Sequence, residues 1–297
     1  MSKEQFPVLK TYAQGVYPTL FGRQCRPEES RAVFLGVPFD STSSGVPGQR
    51  LAPRRIREAS MELETFDPVS GRDSEEASFC DAGDIPLLVD YRALAEILAG
   101  IAREVFASGK ILAVCGGDHF VTYPVVKAAA EVFGGVQLVV FDAHLDLRDE
   151  YPVRCKYSHA TVMRRLAEEV PQLRIVYLKP RAFSREEWSF ASFRDGVVIA
   201  ESVERLVSSL VRGYKTYISI DIDYVDPAYA PGVGTPEPLG EAPGELITAL
   251  KALIEEGRGE IMGIDIVEVN PLLDSGNITS ALAAKLWAMI LRDLLSA

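Results

Sequence analysis

The chain has 297 residues, 47% of them hydrophobic and 25% charged, which is the make-up of an ordinary globular protein rather than a fibrous or disordered one. A formal net charge of -11 argues against nucleic acid as the main partner, and no apolar run is long enough to span a bilayer, so no membrane role is expected. The four cysteines, Cys25, Cys80, Cys115 and Cys155, show no CxxC spacing, which speaks against a zinc cluster or a disulfide framework and predicts ordinary reduced thiols. The start, Met1-Ser2-Lys3-Glu4-Gln5, lacks the basic and apolar regions of a signal peptide, so a cytoplasmic protein is expected. Asparagine occurs only at Asn270 and Asn277, a weak sign of a hot-growing source.

The first β-rich run covers residues 32–37. A helix is predicted over 91–108, where Leu94, Ile97, Leu98, Ile101 and Val105 recur at three- and four-residue spacing. A strand over 111–115 runs into Gly116-Gly117-Asp118-His119 and is followed by a helix over 123–133. The next strand, 137–141, runs into Asp142-Ala143-His144-Leu145-Asp146, with a helix over 160–169 beyond it. After a strand at 174–178, the Ser-x-x-Glu pattern of Ser184-Arg185-Glu186-Glu187 caps a further helix. A strand over 217–221 leads into Asp221-Ile222-Asp223, a helix follows over 245–256, a last strand over 261–267 leads into Glu268, and a helix over 279–295 closes the chain. Several of the strands are apolar throughout, the pattern of parallel strands covered on both faces. The alternation predicts a single domain over 1–297, a three-layer α/β/α fold with a mostly parallel central sheet.

In such a sheet, sites form outside the carboxyl ends of the strands. Four strands end here in carboxylates or imidazoles. If extended, Asp142, His144 and Asp146 face one side, as do Asp221 and Asp223. Carboxylates this close repel one another unless cations lie between them. All three histidines of the chain, His119, His144 and His159, fall in or beside these clusters. Mixed imidazole and carboxylate donors suit manganese or a similar divalent ion. A lone histidine or Asp-x-Asp pair at a strand end is more often structural, but the clusters together point to two ions sharing carboxylates. Gly116-Gly117-Asp118-His119 lacks the GxGxxG pattern, which excludes a dinucleotide site.

These residues carry a resemblance. Gly-Gly-Asp-His, Asp-Ala-His-x-Asp and Ser219-Ile220-Asp221-Ile222-Asp223-Tyr224-Val225-Asp226-Pro227 resemble the signatures of the ureohydrolase (arginase/agmatinase) family, closest to its agmatinase form. Gly36-Val37-Pro38-Phe39-Asp40 and Pro53-Arg54-x-Ile56-Arg57 are similar to the family's N-terminal strand and loop. The resemblance implies an arginase/deacetylase-like fold and two Mn2+ ions. His119, Asp142, Asp146 and Asp221 would hold one, and Asp142, His144, Asp221 and Asp223 the other. It implies that a hydroxide shared by the metals attacks the guanidinium carbon of a small cationic substrate, that Glu268 grips that guanidinium, that Asp146 takes a proton, and that His159 shuttles one to the leaving amine. Asp118 and Asp226 are expected to have structural roles or to orient the ligands. A homo-oligomer, trimer or hexamer, is implied too.

Agmatine, giving putrescine and urea, is the expected substrate, with aminopropylagmatine next and arginine or guanidinobutyrate as further alternatives. The loop 147–157 lacks the small polar residues by which arginases hold an α-amino-acid head. In it Asp149 and Glu150 would favour an amine tail, while Arg148, Arg154 and Lys156 would oppose one. The chain departs from the family in having no basic residue before Pro47-Gly48 and in reading Lys179-Pro180-Arg181 after the strand at 174–178. A single-metal deacetylase is disfavoured because the second-ion set, with Asp223 and His119, is complete. A non-catalytic paralogue is disfavoured because no ligand is lost.

Overall fold

The computed structural model describes residues 5–152, 154–257 and 260–295. Met1 to Glu4 of the N-terminal reading, and Val153 of the 147–157 loop, lie outside the described residues. The strands are β1 (Ala32–Gly36), β2 (Phe66–Asp67), β3 (Arg72–Asp73), β4 (Phe79–Asp84), β5 (Ile111–Cys115), β6 (Val136–Phe141), β7 (Arg174–Leu178), β8 (Val197–Ala200), β9 (Lys215–Asp221) and β10 (Ile261–Val267). The helices are α1 (Pro7–Tyr12), α2 (Ala52–Ser60), α3 (Tyr91–Ala107), α4 (Thr122–Phe133), α5 (Val162–Glu169), α6 (Arg185–Phe193), α7 (Val203–Ser208), α8 (Pro243–Gly257) and α9 (Ile278–Leu295).

Eight strands form one sheet in the order β4-β1-β5-β10-β9-β6-β7-β8, with every pairing parallel. β2 and β3 make a separate antiparallel pair. The predicted three-layer architecture is therefore observed. Apolar side chains alternate between its two faces. Phe34, Ala113, Val139 and Ile218 join a core with Ile56 of α2, Leu246 of α8 and Trp287 of α9. Val33, Val114, Val140 and Tyr217 join the opposite core with Leu98 of α3, Val126 of α4 and Leu166 of α5. Both faces are covered, which is why the strands read as apolar runs. Trp287 is fully buried with its ring edge-on to Phe34, the centroids 5.1 Å apart. Such a pair is worth about 1 kcal/mol beyond its burial. No helix among the described residues is long and apolar enough to cross a membrane.

The helix starts obey local rules. Asp90 caps α3 by accepting from the Arg92 N–H at 2.8 Å. The predicted box at α6 forms: the Glu187 N–H donates to Ser184 Oγ, and the Ser184 N–H donates to Glu187 Oε2 at 2.8 Å. The helix predicted from 160 begins at Val162, after a 3-10 turn over His159–Thr161. α2, β4 and β8 were not anticipated.

The cysteine expectation is corrected. Cys25 and Cys80 form a disulfide, with Cα atoms 5.2 Å apart across a separation of 55 residues. The segment before β1 folds back alongside β4, a proximity that no local spacing encodes. Cys115 and Cys155 are free thiols, Cys115 being buried.

Candidate metal centre

The four strands that end in candidate ligands are neighbours. In spatial order β5, β10, β9 and β6 fill the middle of the sheet. Registers bring Ile266 beside Cys115, Val267 beside Asp221, and Phe141 beside Ile220. His119, Glu268, Asp221 and Asp142 therefore emerge on one edge, as expected for an α/β sheet. Gly117 lets β5 pass closely under the preceding loop, because a Cβ there would lie 1.6 Å from the Phe39 carbonyl oxygen. The Asp118 N–H donates to that same oxygen at 2.7 Å.

Two sets of side chains converge. His119 Nδ1 lies 3.1 Å from Asp142 Oδ2, 3.0 Å from Asp146 Oδ2 and 3.4 Å from Asp221 Oδ2. His144 Nδ1 lies 2.9 Å from Asp223 Oδ2 and 3.4 Å from Asp142 Oδ1. Asp142 thus turns one oxygen toward each imidazole. The sets His119/Asp142/Asp146 and Asp142/His144/Asp223 each have donor atoms close enough to hold one ion. Asp221 adjoins the first and accepts from the Asp223 N–H at 2.9 Å. Every one of these residues is buried except His144, which is half-buried.

The tautomer of His119 follows from its neighbours. The Ser219 hydroxyl donates to Asp265 Oδ1 at 2.6 Å, so at 3.0 Å it accepts from His119 Nε2–H. Asp265 is held in turn by the Thr122 hydroxyl at 2.8 Å. Nδ1 is left to face the carboxylates, an arrangement that both orients a ligand and raises its basicity.

The centre fits a pair of cations. His119 Nδ1 and Asp142 Oδ2 are buried and, among the described residues, have no properly directed hydrogen bond. Burial opposes charge on the His119 imidazole, but Asp142, Asp146 and Asp221 hold it well above its ordinary range. His144 is raised in the same way by Asp142 and Asp223. Burial, together with the charge of Asp142, pushes the Asp146 carboxyl up to about 6. So many buried acids around two imidazoles demand positive charge, and oxygen and imidazole donors without a thiolate suit hard or borderline divalent ions.

Two further residues named by the sequence flank the centre. Glu268, in a left-handed backbone conformation with φ 65°, accepts from the His119 N–H at 2.8 Å and from Gln49 Nε2 at 3.0 Å. Such a conformation is unusual outside glycine and concentrates at functional sites. Burial pushes its carboxyl up to about 7. His159 is held through its Nδ1 and its backbone N–H, both donating to Thr42, with Ser44 Oγ 3.3 Å from Nε2. The Ser158 N–H, not His159, makes the turn's capping bond, to Thr161 Oγ1 at 2.9 Å. Asp118 accepts from the Thr42 hydroxyl and N–H, so it braces the loop that holds His159. Asp226 accepts from the Ala228 and Gly240 N–H groups and shapes the turn beyond β9.

A cavity of about 330 Å³ opens above the centre. Its walls include His144, Asp146 and His159 together with Arg148, Glu187 and Glu237. A larger groove, about 990 Å³, lies between α7 and α8 and contains none of these residues. In the loop after Asp146, Asp149 is spent on Arg165 at 2.7 Å and is not a cavity wall. Arg148 is one, its guanidinium over the Tyr151 ring and 3.7 Å from Glu187. Gln49, Glu187 and Glu237 were not singled out from the sequence. Glu187 was visible only as a helix cap, and Gln49 and Glu237 only as members of loops.

Comparison with known proteins places this geometry. The sequence description "Arginase family" matches residues 30–292. The chain is 35% identical over 274 residues to an agmatinase of Bacillus subtilis, covering 90% of this chain and 92% of that protein. It is 36% identical over 284 residues to the human mitochondrial guanidino acid hydrolase, covering 89% and 78%. Its fold is similar to the crystal structure of the agmatine ureohydrolase of Thermoplasma volcanium, with a TM-score of 0.84, 34% identity and 94% of each chain covered.

Proposed function

The chain belongs to the Arginase family, and from that premise we propose that it is an agmatinase, hydrolysing agmatine to putrescine and urea at a two-manganese centre. The observation that carries this reading is the buried cluster in which Asp142 faces both His119 and His144. His119, Asp142, Asp146 and Asp221 would hold one ion and Asp142, His144, Asp221 and Asp223 the other. When bound, such a pair supplies a water that loses its proton near neutral pH.

The side chains around it supply positioning and proton transfer. Glu268 presents a carboxylate whose plane is held by two donors, and charge-assisted bonds from it can fix a guanidinium and orient its carbon. Asp146, at the cavity wall, would take a proton. His159 lines the same cavity with Nε2 beside the Ser44 hydroxyl, and once protonated there it can deliver that proton to the departing amine. We further read the protein as one domain over 1–297, working in the cytoplasm as a homo-oligomer, a trimer or hexamer.

A second reading, with a guanidino acid as substrate, is favoured by Arg148 at the cavity wall, a cation suited to a carboxylate tail. Urea release from the manganese-loaded protein tests both. Agmatine, arginine, guanidinobutyrate and aminopropylagmatine are offered separately. Agmatine is expected to be fastest. A higher rate with guanidinobutyrate would favour the second reading, and no urea from any of the four would overturn the ureohydrolase assignment.

A further inference from the structure

We infer that Gln49 is a second guanidinium-binding residue, working with Glu268 as one unit, an inference that rests on the reading of Glu268 above. Gln49 is fully buried in the loop that runs under the centre, and its Nε2 donates to Glu268 Oε2 at 3.0 Å. That contact fixes the amide's orientation, because turning it over would press the amide oxygen against a carboxylate oxygen. Its Oε1 is therefore directed away from Glu268. Among the described residues that oxygen is buried and has no hydrogen-bond partner.

A buried acceptor without a partner is rare in folded proteins and costly. What fits it is a guest made only of donors. A guanidinium is such a group, a planar fork of N–H bonds with no acceptor. On this inference the guanidinium that Glu268 holds by one edge turns a neighbouring N–H toward the amide oxygen. The amide is also held in place. Gly234 packs against it, and a Cβ there would lie 2.6 Å from Gln49 Nε2. Asp40 accepts from the N–H groups on either side of Gln49, those of Gly48 and Arg50. The same side chain thus holds the Glu268 carboxylate through its nitrogen and offers the substrate its oxygen.

The test is calorimetric titration of manganese-loaded wild-type and Gln49→Met protein with guanidinium chloride, run beside a titration with putrescine, which carries no guanidinium. The inference predicts guanidinium binding about 10- to 100-fold weaker in the variant, the loss of a hydrogen bond to a charged group, with putrescine affinity unchanged. No loss, or an equal loss for both ligands, would overturn it. No urea is read, so this outcome is separate from failure of the agmatinase reading. Should Gln49→Met not fold, a wild-type manganese-loaded crystal soaked in guanidinium decides the point. A guanidinium nitrogen within hydrogen-bond reach of Gln49 Oε1, roughly 3 Å, is expected, and a guanidinium bound to Glu268 without that contact would overturn the inference.

Discussion

His159 Nδ1 stands 2.7 Å from the Thr42 carbonyl oxygen. A carbonyl only accepts, so Nδ1 carries the proton, and the Nε2 lone pair at the cavity wall accepts from the Ser44 hydroxyl 3.3 Å away. The Thr42 hydroxyl accepts from the His159 backbone N–H at 2.9 Å and donates to Asp118 at 2.8 Å. The ring is therefore set by a loop from the far side of the sheet, an arrangement suited to receiving and returning one proton.

His159→Asn is expected to lower kcat for agmatine by about 100-fold or more, the usual contribution of a positioned acid or base. Manganese content should stay at the wild-type level, since His159 belongs to neither ligand set. Steady-state kinetics with metal analysis checks both. A variant that kept full kcat would remove His159 from the proton path.

Metal loading should release protons. Without cations, the carboxylates hold His119 and His144 well above the ordinary imidazole range, and Asp146 is pushed up to about 6. An incoming ion competes with those protons, so affinity rises with pH and falls as the medium is acidified. Titrating manganese into metal-free protein in weak buffer, with a pH indicator, measures the release. Uptake with no proton released between about pH 6 and 8 would run against this account.

Arg57 anchors the early part of the fold. It is 1% exposed, its Nε lies 2.7 Å from Asp81, and a second guanidinium nitrogen lies 2.5 Å from Asp84. Arg57→Met leaves two carboxylates at the sheet edge without their cation. Removing one side of such a buried pair costs about 3–5 kcal/mol. Denaturant unfolding should show this loss, and a change under about 1 kcal/mol would mean that Asp81 and Asp84 find other partners.

The Cys25–Cys80 bond closes a loop across 55 residues. Chain entropy gives such a closure about 4 kcal/mol of stability. Cys25→Ser and Cys80→Ser should both show that loss in urea unfolding, and the double variant no more than either single one. A double variant less stable than both would indicate packing roles for the thiols.

The centre was readable in the sequence because its ligands follow apolar strands directly, so strand ends and chemistry coincide at His119, Asp142, Asp221 and Glu268. The middle of the fold was readable for the same reason. The edges were not. β4 reads Phe-Cys-Asp-Ala-Gly-Asp, and its two aspartates are accommodated because Arg57 meets them both from α2. α2 itself carries three arginines and a proline at its start, and no apolar stripe of a length that stands out. β8 has four residues, too few to show a period. Gln49 gave no signal because its role depends on Glu268, 219 residues away. The disulfide and the cavity walls at Glu187 and Glu237 likewise depend on folded proximity rather than spacing.

The most direct test of the two-ion centre is the number of manganese ions bound per chain at equilibrium, measured by dialysis and elemental analysis on wild-type and Asp142→Asn protein. The shared position of Asp142 predicts two per chain in the wild type and a loss at both positions in the variant. A wild-type protein that holds one ion or none, or an Asp142→Asn protein that keeps two, would contradict it.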